Sequence, residues 1–443
     1  MNVPQTPGSR LDAHVDRYAA RARSMTASEI RALFSVATRP EVVSLAGGMP
    51  YLDALPIDAV GEVVRRLVVE RGTVAMQYGS AQGDPTLRAQ ICQVMALESI
   101  QADPDDVVVT VGSQQALDLV TRIFINPGDV VVAEAPSYVG ALSTFFSYQA
   151  EVVQTELDHQ GLVPERLEET LRQLRAAGRP VKFVYTIPNF HNPAGVTLSD
   201  ERRARIIDIC REHDVLILEY NPYGLLGFDG GPRRALYADA PDQVVYLGTF
   251  SKTFAPGFRV GWAVAPHGVR EKLVLASEAA VLCPPAFSQL AVSTYLANEP
   301  WQQQIKTYQE LYRERRDTML ACLDDLMPPG VSWTRPGGGF YVWVDLPDGL
   351  DAKAMLGRAV TARVAYVPGT AFFADGRGRG QLRLSYCYPG PERIREGVRR
   401  LAGVLEAELE LHSTFGTGDR SPREGVRPGT GGDQADMPSP DLA

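Results

Sequence analysis

The chain has 443 residues, 45% apolar and 22% charged, the make-up of an ordinary globular protein with room for more than one core. Its formal charge of -9 excludes a nucleic-acid polyanion as the main partner, since such binding needs a basic face, but leaves room for a small anion held by local donors. Five widely spaced cysteines without a Cys/His cluster exclude a disulfide framework and a zinc site, and the absence of a long apolar run excludes a membrane helix or signal segment, so a cytoplasmic protein without a metal is expected.

Residues 1–10 are polar and carry Pro and Gly, which marks a flexible arm, and residues 11–56 are expected to join a smaller domain further on. A large domain is expected over 57–295. Val107–Val111 is a candidate buried strand, and Gln114–Ile125 follows with Ala116, Leu117, Val120 and Phe124 at helical spacing. Val130–Ala133, Val181–Thr186, Val215–Leu218 and Val244–Leu247 are further β-branched runs. Between the second and third of these lies the helical pattern Leu198–Glu212, with Ser199 as its candidate N-cap. Strands alternating with helices imply an α/β fold with a mainly parallel sheet covered on both faces. After about residue 295 the pattern changes: a long charged helix, Trp301–Leu326, precedes strand-like runs at Phe340–Asp345 and Leu382–Tyr386, as in a smaller α+β domain over 296–411. Residues 412–443 hold too few large apolar side chains to offset ordering entropy and are expected to form a disordered tail.

Two segments carry chemistry. Val244–Gly261, VVYLGTFSKTFAPGFRVG, ends a buried strand in Thr249, Ser251, Lys252 and Arg259. Lysine is scarce here, restricted to Lys182, Lys252, Lys272, Lys306 and Lys353, so its position among hydroxyls and an arginine is informative. An amine can form an imine with an aldehyde cofactor, while hydroxyls and a guanidinium bind a phosphate dianion; the bland alternative is a surface loop. In the second segment, Val107–Val120, Gly112 makes a turn, and Ser113 and Gln114 open a helix whose N–H groups suit a phosphate. By itself that is also what a commonplace N-cap looks like.

At these two places the chain closely resembles the class I/II aminotransferases, which depend on pyridoxal phosphate (PLP). It is similar above all to the branch containing 2-aminoadipate and kynurenine aminotransferases, from about Arg31 to Leu405. The motifs fall in the family's order: AGGMP (Ala46–Pro50), QYG (Gln77–Gly79), PSY (Pro136–Tyr138), PNFHNPAG (Pro188–Gly195), SK with FRVG, and LRLSY (Leu382–Tyr386). The resemblance implies the PLP-dependent transferase fold of type I, with a seven-stranded kind of sheet, and Lys252 as the imine lysine. It gives the phosphate to Ser113, Gln114, Thr249, Ser251 and Arg259, with Tyr78 reaching over from a partner chain in a homodimer. It stacks Tyr138 on the pyridine ring and gives the phenolate oxygen to Asn189 and Tyr223. Gly48, Asn189 and Arg383 would meet the substrate, Arg383 at its α-carboxylate. Asn192, before Pro193, is expected only to form a turn, and His191 only to pack.

One departure touches the mechanism. Three residues before the tyrosine equivalent to Tyr223 the family presents an aspartate to the ring nitrogen, and here LILEYNPYGLL has Tyr220. Glu219 is adjacent, but strand alternation points it to the opposite face. The expected activity is amino transfer between an α-amino acid and a 2-oxo acid. The alternative is a PLP lyase or replacement enzyme acting at Cβ or Cγ. A PLP-fold transcription regulator is disfavoured, because the residues before AGGMP show no helix-turn-helix pattern.

Overall fold

The computed structural model describes residues 14–23 and 39–415. The expected arm at 1–10 lies outside them, as does the expected tail beyond 415. The tail's boundary needs correction: residues 412–415 still belong to the terminal helix Pro391–Phe415. Buried Ile394, Val398, Leu401 and Leu405 anchor that helix, and good helix formers such as Glu and Leu carry it past the last packed turn.

The strand pattern of the first three hundred residues becomes one sheet. Strands β1 (Val107–Val111), β2 (Val130–Ala135), β3 (Glu151–Asp158), β4 (Gly161–Leu162), β5 (Val181–Thr186), β6 (Leu216–Tyr220), β7 (Val244–Thr249) and β8 (Val260–Val264) lie in the order β1-β8-β7-β6-β5-β2-β3-β4. Seven are of ordinary length and β4 is a two-residue appendage. β8 runs antiparallel to both its neighbours and β4 to β3; the remaining pairs are parallel. Alternation sorts the side chains. Val107, Val109, Ile217, Val244 and Tyr246 enter one apolar cluster, while Leu218, Tyr220, Val245 and Leu247 enter another on the opposite face. Helices cover both faces, among them α1 (Ile57–Ala75) and α2 (Gly112–Phe124).

Beyond the sheet, α3 (Trp301–Leu326) has the bounds its spacing predicts. Strands β9 (Ser332–Trp333), β10 (Tyr341–Asp345), β11 (Val367–Pro368) and β12 (Gln381–Ser385) form a second, wholly antiparallel sheet in the order β9-β10-β12-β11. It shares an apolar cluster with α3 and the terminal helix, through Tyr308, Tyr312, Leu323, Val342, Leu384 and Leu401. Val43 and Leu45 belong to the same cluster, and Val43–Ser44 pairs in parallel with Val364–Ala365. Phe190, Tyr223 and Phe228, which follow β5 and β6, also insert there, so the loops after the large sheet are gripped by the second core. Among the described residues no helix is long and apolar enough to cross a membrane.

Candidate active site

The carboxyl ends of β1, β2, β5, β6 and β7 all open on one side of the large sheet, the usual place for a ligand in such folds. A cleft of ≈ 400 Å³ lies there, lined by Ser113, Tyr138, Tyr220, Lys252, Arg259 and Arg383 among others.

One end of the cleft is built for an anion. Helix α2 begins with Gly112, and no side chain caps it, so the N–H groups of its first turn remain available. Gly112 has φ +72, and a Cβ there would meet the Arg259 guanidinium at 2.4 Å; glycine is what lets that charge approach the helix start. Thr249 and Ser251 complete the cup. Ser251 N donates to Thr249 Oγ1 at 3.1 Å, and the two hydroxyl oxygens are 2.9 Å apart. Ser113 Oγ lies 3.0 Å from the Tyr220 hydroxyl.

Lys252 follows this cup directly. Its Nζ donates to Gly48 O at 2.8 Å, across the sequence from the AGGMP loop. Burial lowers its pKa to about 8, and the Arg383 and Arg259 charges push the same way. The neutral amine is therefore more accessible near neutral pH than that of an exposed lysine, which favours a nucleophile or base.

At the other end Arg383, on β12, is buried. It donates through Nη1 to Asn192 Oδ1 at 2.8 Å and through Nη2 to Ala46 O at 2.6 Å, and its Nε has no partner. Its guanidinium lies 4.1 Å from the centre of the Tyr341 ring, a stacking that fixes the plane of the fork. The wall is aromatic: the Tyr138 and Tyr220 rings are parallel within 7° at 5.7 Å. Burial raises the phenol pKa of Tyr138 to about 12 and pushes up those of Tyr220, Tyr223 and Tyr341.

The structure brings Gly48, Ser113, Gln114, Tyr138, Tyr220, Tyr223, Thr249, Ser251, Lys252, Arg259 and Arg383 onto this one cleft. Two expected residues are elsewhere. Asn189 is a correction: it is buried, accepts from Arg203 Nη2 at 2.6 Å, donates to Asn221 Oδ1 at 3.1 Å and does not line the cleft. The asparagine on the cleft is Asn192, which looked like a turn former because Asn-Pro is a turn dipeptide. Tyr78 stands 77% exposed, away from the cleft of its own chain. The Gln114 amide is used differently from expectation: it donates to Thr144 Oγ1 at 2.7 Å and accepts from the Tyr138 hydroxyl at 3.4 Å, so it orients the aromatic wall. Tyr341 was not singled out in the sequence; the alternating strand after three glycines was its one signal. Gly48 leaves room for it, since a Cβ at that position would lie 2.0 Å from the Tyr341 hydroxyl. His191 packs in its loop, Nδ1 accepting from Ala194 N at 3.2 Å.

A sequence profile described as aminotransferase class I and II matches residues 40–401. Aromatic-amino-acid aminotransferase 1 of Thermococcus litoralis is 44% identical over 396 residues, covering 89% of this chain and 95% of that protein. Among solved structures, Pyrococcus horikoshii kynurenine aminotransferase, in complex with PMP, is 40% identical with a TM-score of 0.86, covering 90% of this chain and 99% of that one. The α-aminoadipate aminotransferase LysN of Thermus thermophilus, complexed with a phosphopyridoxyl-leucine, is 36% identical with a TM-score of 0.83, covering 89% and 99%.

Proposed function

The chain belongs to the class I and II aminotransferases and moves an amino group between an amino acid and a 2-oxo acid with PLP, and from that premise we propose that Lys252 anchors the cofactor and handles the proton at the substrate's α-carbon. Relatives 33–44% identical to the chain are named aminotransferases, and the lyase or replacement reading finds no support among them.

The observation that carries the assignment is the placing of one depressed lysine between an anion cup and a buried arginine with an unpartnered nitrogen. The cofactor fits this site: an uncapped helix start, two hydroxyls and Arg259 match a phosphate dianion, and a wall of parallel aromatic rings matches a flat ring. Bound PLP supplies an aldehyde carbon for the amine and a ring that withdraws electrons from the substrate's α-carbon. Lys252 Nζ takes the α-proton and returns one. Arg383 would hold the α-carboxylate in its fork, and Asn192 and Tyr223 would take the cofactor's phenolate oxygen, Asn192 in the role expected of Asn189. Ser113, the Gln114 backbone, Thr249, Ser251 and Arg259 hold the phosphate.

Among the described residues lining the cleft, the cations are Lys252, Arg259 and Arg383, so none is left over for a side-chain carboxylate, while Met49, Val139 and Tyr341 offer apolar contact. The amino donor proposed is therefore one with a neutral, preferably aromatic, side chain.

A homodimer in the cytoplasm is proposed as the working form. Val69 and Met76 are each 71% exposed beside Tyr78, and Gly79 N donates to Cys283 Sγ, which brings exposed Leu282 to the same apolar strip. A second copy would cover that strip and deliver Tyr78 to the neighbouring phosphate cup. The two lobes are proposed to divide near residues 57 and 295, with the N-terminal segment in the smaller one.

One set of measurements on the PLP-loaded protein tests these points. Borohydride reduction and peptide mapping should label Lys252, phenylalanine should convert the cofactor faster than aspartate, and light scattering should return two chains. A label on another lysine, a preference for aspartate, or an active monomer would each overturn the corresponding point.

A further inference from the structure

Lys252, Arg259 and Arg383 face the cleft, and among the described residues lining it there is no carboxylate. Two acids close in sequence to lining residues turn away. Glu219 precedes Tyr220, but strand alternation sends it through to the reverse face, where its carboxylate accepts from Leu236 N at 3.1 Å and Tyr237 N at 2.9 Å. Glu134, at the end of β2, accepts from Thr186 Oγ1 at 2.7 Å and Ile187 N at 2.9 Å. The other titratable groups on the wall are the buried phenols of Tyr138, Tyr220, Tyr223 and Tyr341. Tyr220 occupies the position where the resemblance leads one to expect an aspartate, and it is held firmly. Its ring is parallel to that of Tyr138, and its hydroxyl meets Ser113 in the anion cup.

A basic ring nitrogen is protonated in a protein when an anion stands beside it. Burial and neighbouring cations both favour its neutral form. We infer that the pyridine nitrogen of bound PLP carries no proton in this enzyme, because Tyr220 puts a neutral phenol, its hydroxyl engaged by Ser113, at the position where a carboxylate would be needed. The inference rests on the proposal that PLP occupies this cleft. It implies a ring that draws electrons less strongly, so that removal of the α-proton leans more on the basicity of Lys252 and on the positioning by Arg383 than it would beside a carboxylate.

The test is nuclear magnetic resonance on the protein loaded with PLP labelled isotopically at the ring nitrogen, since protonated and unprotonated pyridine nitrogens resonate far apart. At neutral pH the natural protein and Tyr220→Phe should both show the unprotonated signal, and Tyr220→Asp the protonated one. A protonated signal in the natural protein alone overturns the inference, while leaving PLP and Lys252 in place. An unprotonated signal in Tyr220→Asp overturns the placing of Tyr220 at the nitrogen. A natural protein that takes up no PLP overturns both the inference and the proposed function beneath it.

Discussion

The two faces of the large sheet at the end of β6 carry opposite electrostatics. On the cleft face stand Lys252, Arg259 and Arg383 with a set of neutral phenols. On the reverse face, Glu98 and Glu219 are fully buried carboxylates, with Arg203 as the cation of that cluster. Glu98 accepts from Asn221 Nδ2 at 2.6 Å and from the Tyr246 hydroxyl at 2.8 Å, and Asn221 passes the chain on to Asn189 and Arg203. Consecutive residues Glu219, Tyr220 and Asn221 thus serve different sides. The difference shows how a sheet one strand thick can keep acids within a few residues of an anion-binding site without cancelling its charge. Each acid is satisfied by donors behind the sheet, because an unpaired buried charge is far costlier than a bonded one.

Each face can be perturbed on its own. The largest effect is expected from Arg383→Gln, which leaves the cleft without its proposed carboxylate fork. Losing one partner of a buried charged pair costs ~2–5 kcal/mol, so kcat/KM for the amino acid should fall about a hundredfold or more, mainly through KM in steady-state assays. A fall of only a few-fold would remove Arg383 from substrate binding.

On the reverse face, Gly224→Ala should disturb the acid network directly. The new Cβ would lie 1.9 Å from Glu98 Oε1 and 2.7 Å from the Asn221 amide. Overpacking of this kind costs ~1–3 kcal/mol, to be seen as a lower denaturant midpoint with KM nearly unchanged. An equal loss in KM would mean that the two faces are not separate.

The smallest and sharpest effect concerns Glu98→Gln. Burial raises the Glu98 carboxyl from 4.5 to about 7, so between those values the folded state binds more protons than the unfolded one. Its contribution is therefore fully present below about 4.5 and is lost as pH rises through about 7. The natural protein should lose stability across that window, and the variant, which cannot ionise there, should lose less. Glu219, shifted to about 7 in the same direction, keeps part of the slope. Parallel curves of melting temperature against pH for the two proteins would show that Glu98 does not titrate in this window.

Much of this was legible in the sequence. β1, β5 and β7 are runs rich in β-branched residues and mostly buried on both faces, which is what such runs signify. Lys252 stood out because lysine is scarce, and the motif order placed Arg259 and Arg383. What stayed hidden depends on partners distant along the chain. Asn189 and Asn192 are three residues apart in one loop, and only Arg203 and Asn221, arriving from a helix and from the end of β6, decide which amide is used up and which faces the cleft. Glu98 follows the helix Pro85–Ala96 and looks like a surface acid until Tyr246 and Asn221 close over it. Tyr341 reads as one more member of an alternating strand.

The short ladder between Val43–Ser44 and Val364–Ala365 sets a timetable for synthesis. Gly48 and Ala46, which accept from Lys252 and Arg383, lie just after a strand whose partner is made more than three hundred residues later. At the ribosomal pace of about 5–20 residues per second, the AGGMP loop emerges early and then waits on the order of tens of seconds for its docking surface. The large sheet can assemble meanwhile, cup and lysine included. The substrate end cannot, so the nascent chain should acquire its proposed cofactor grip before its proposed carboxylate fork.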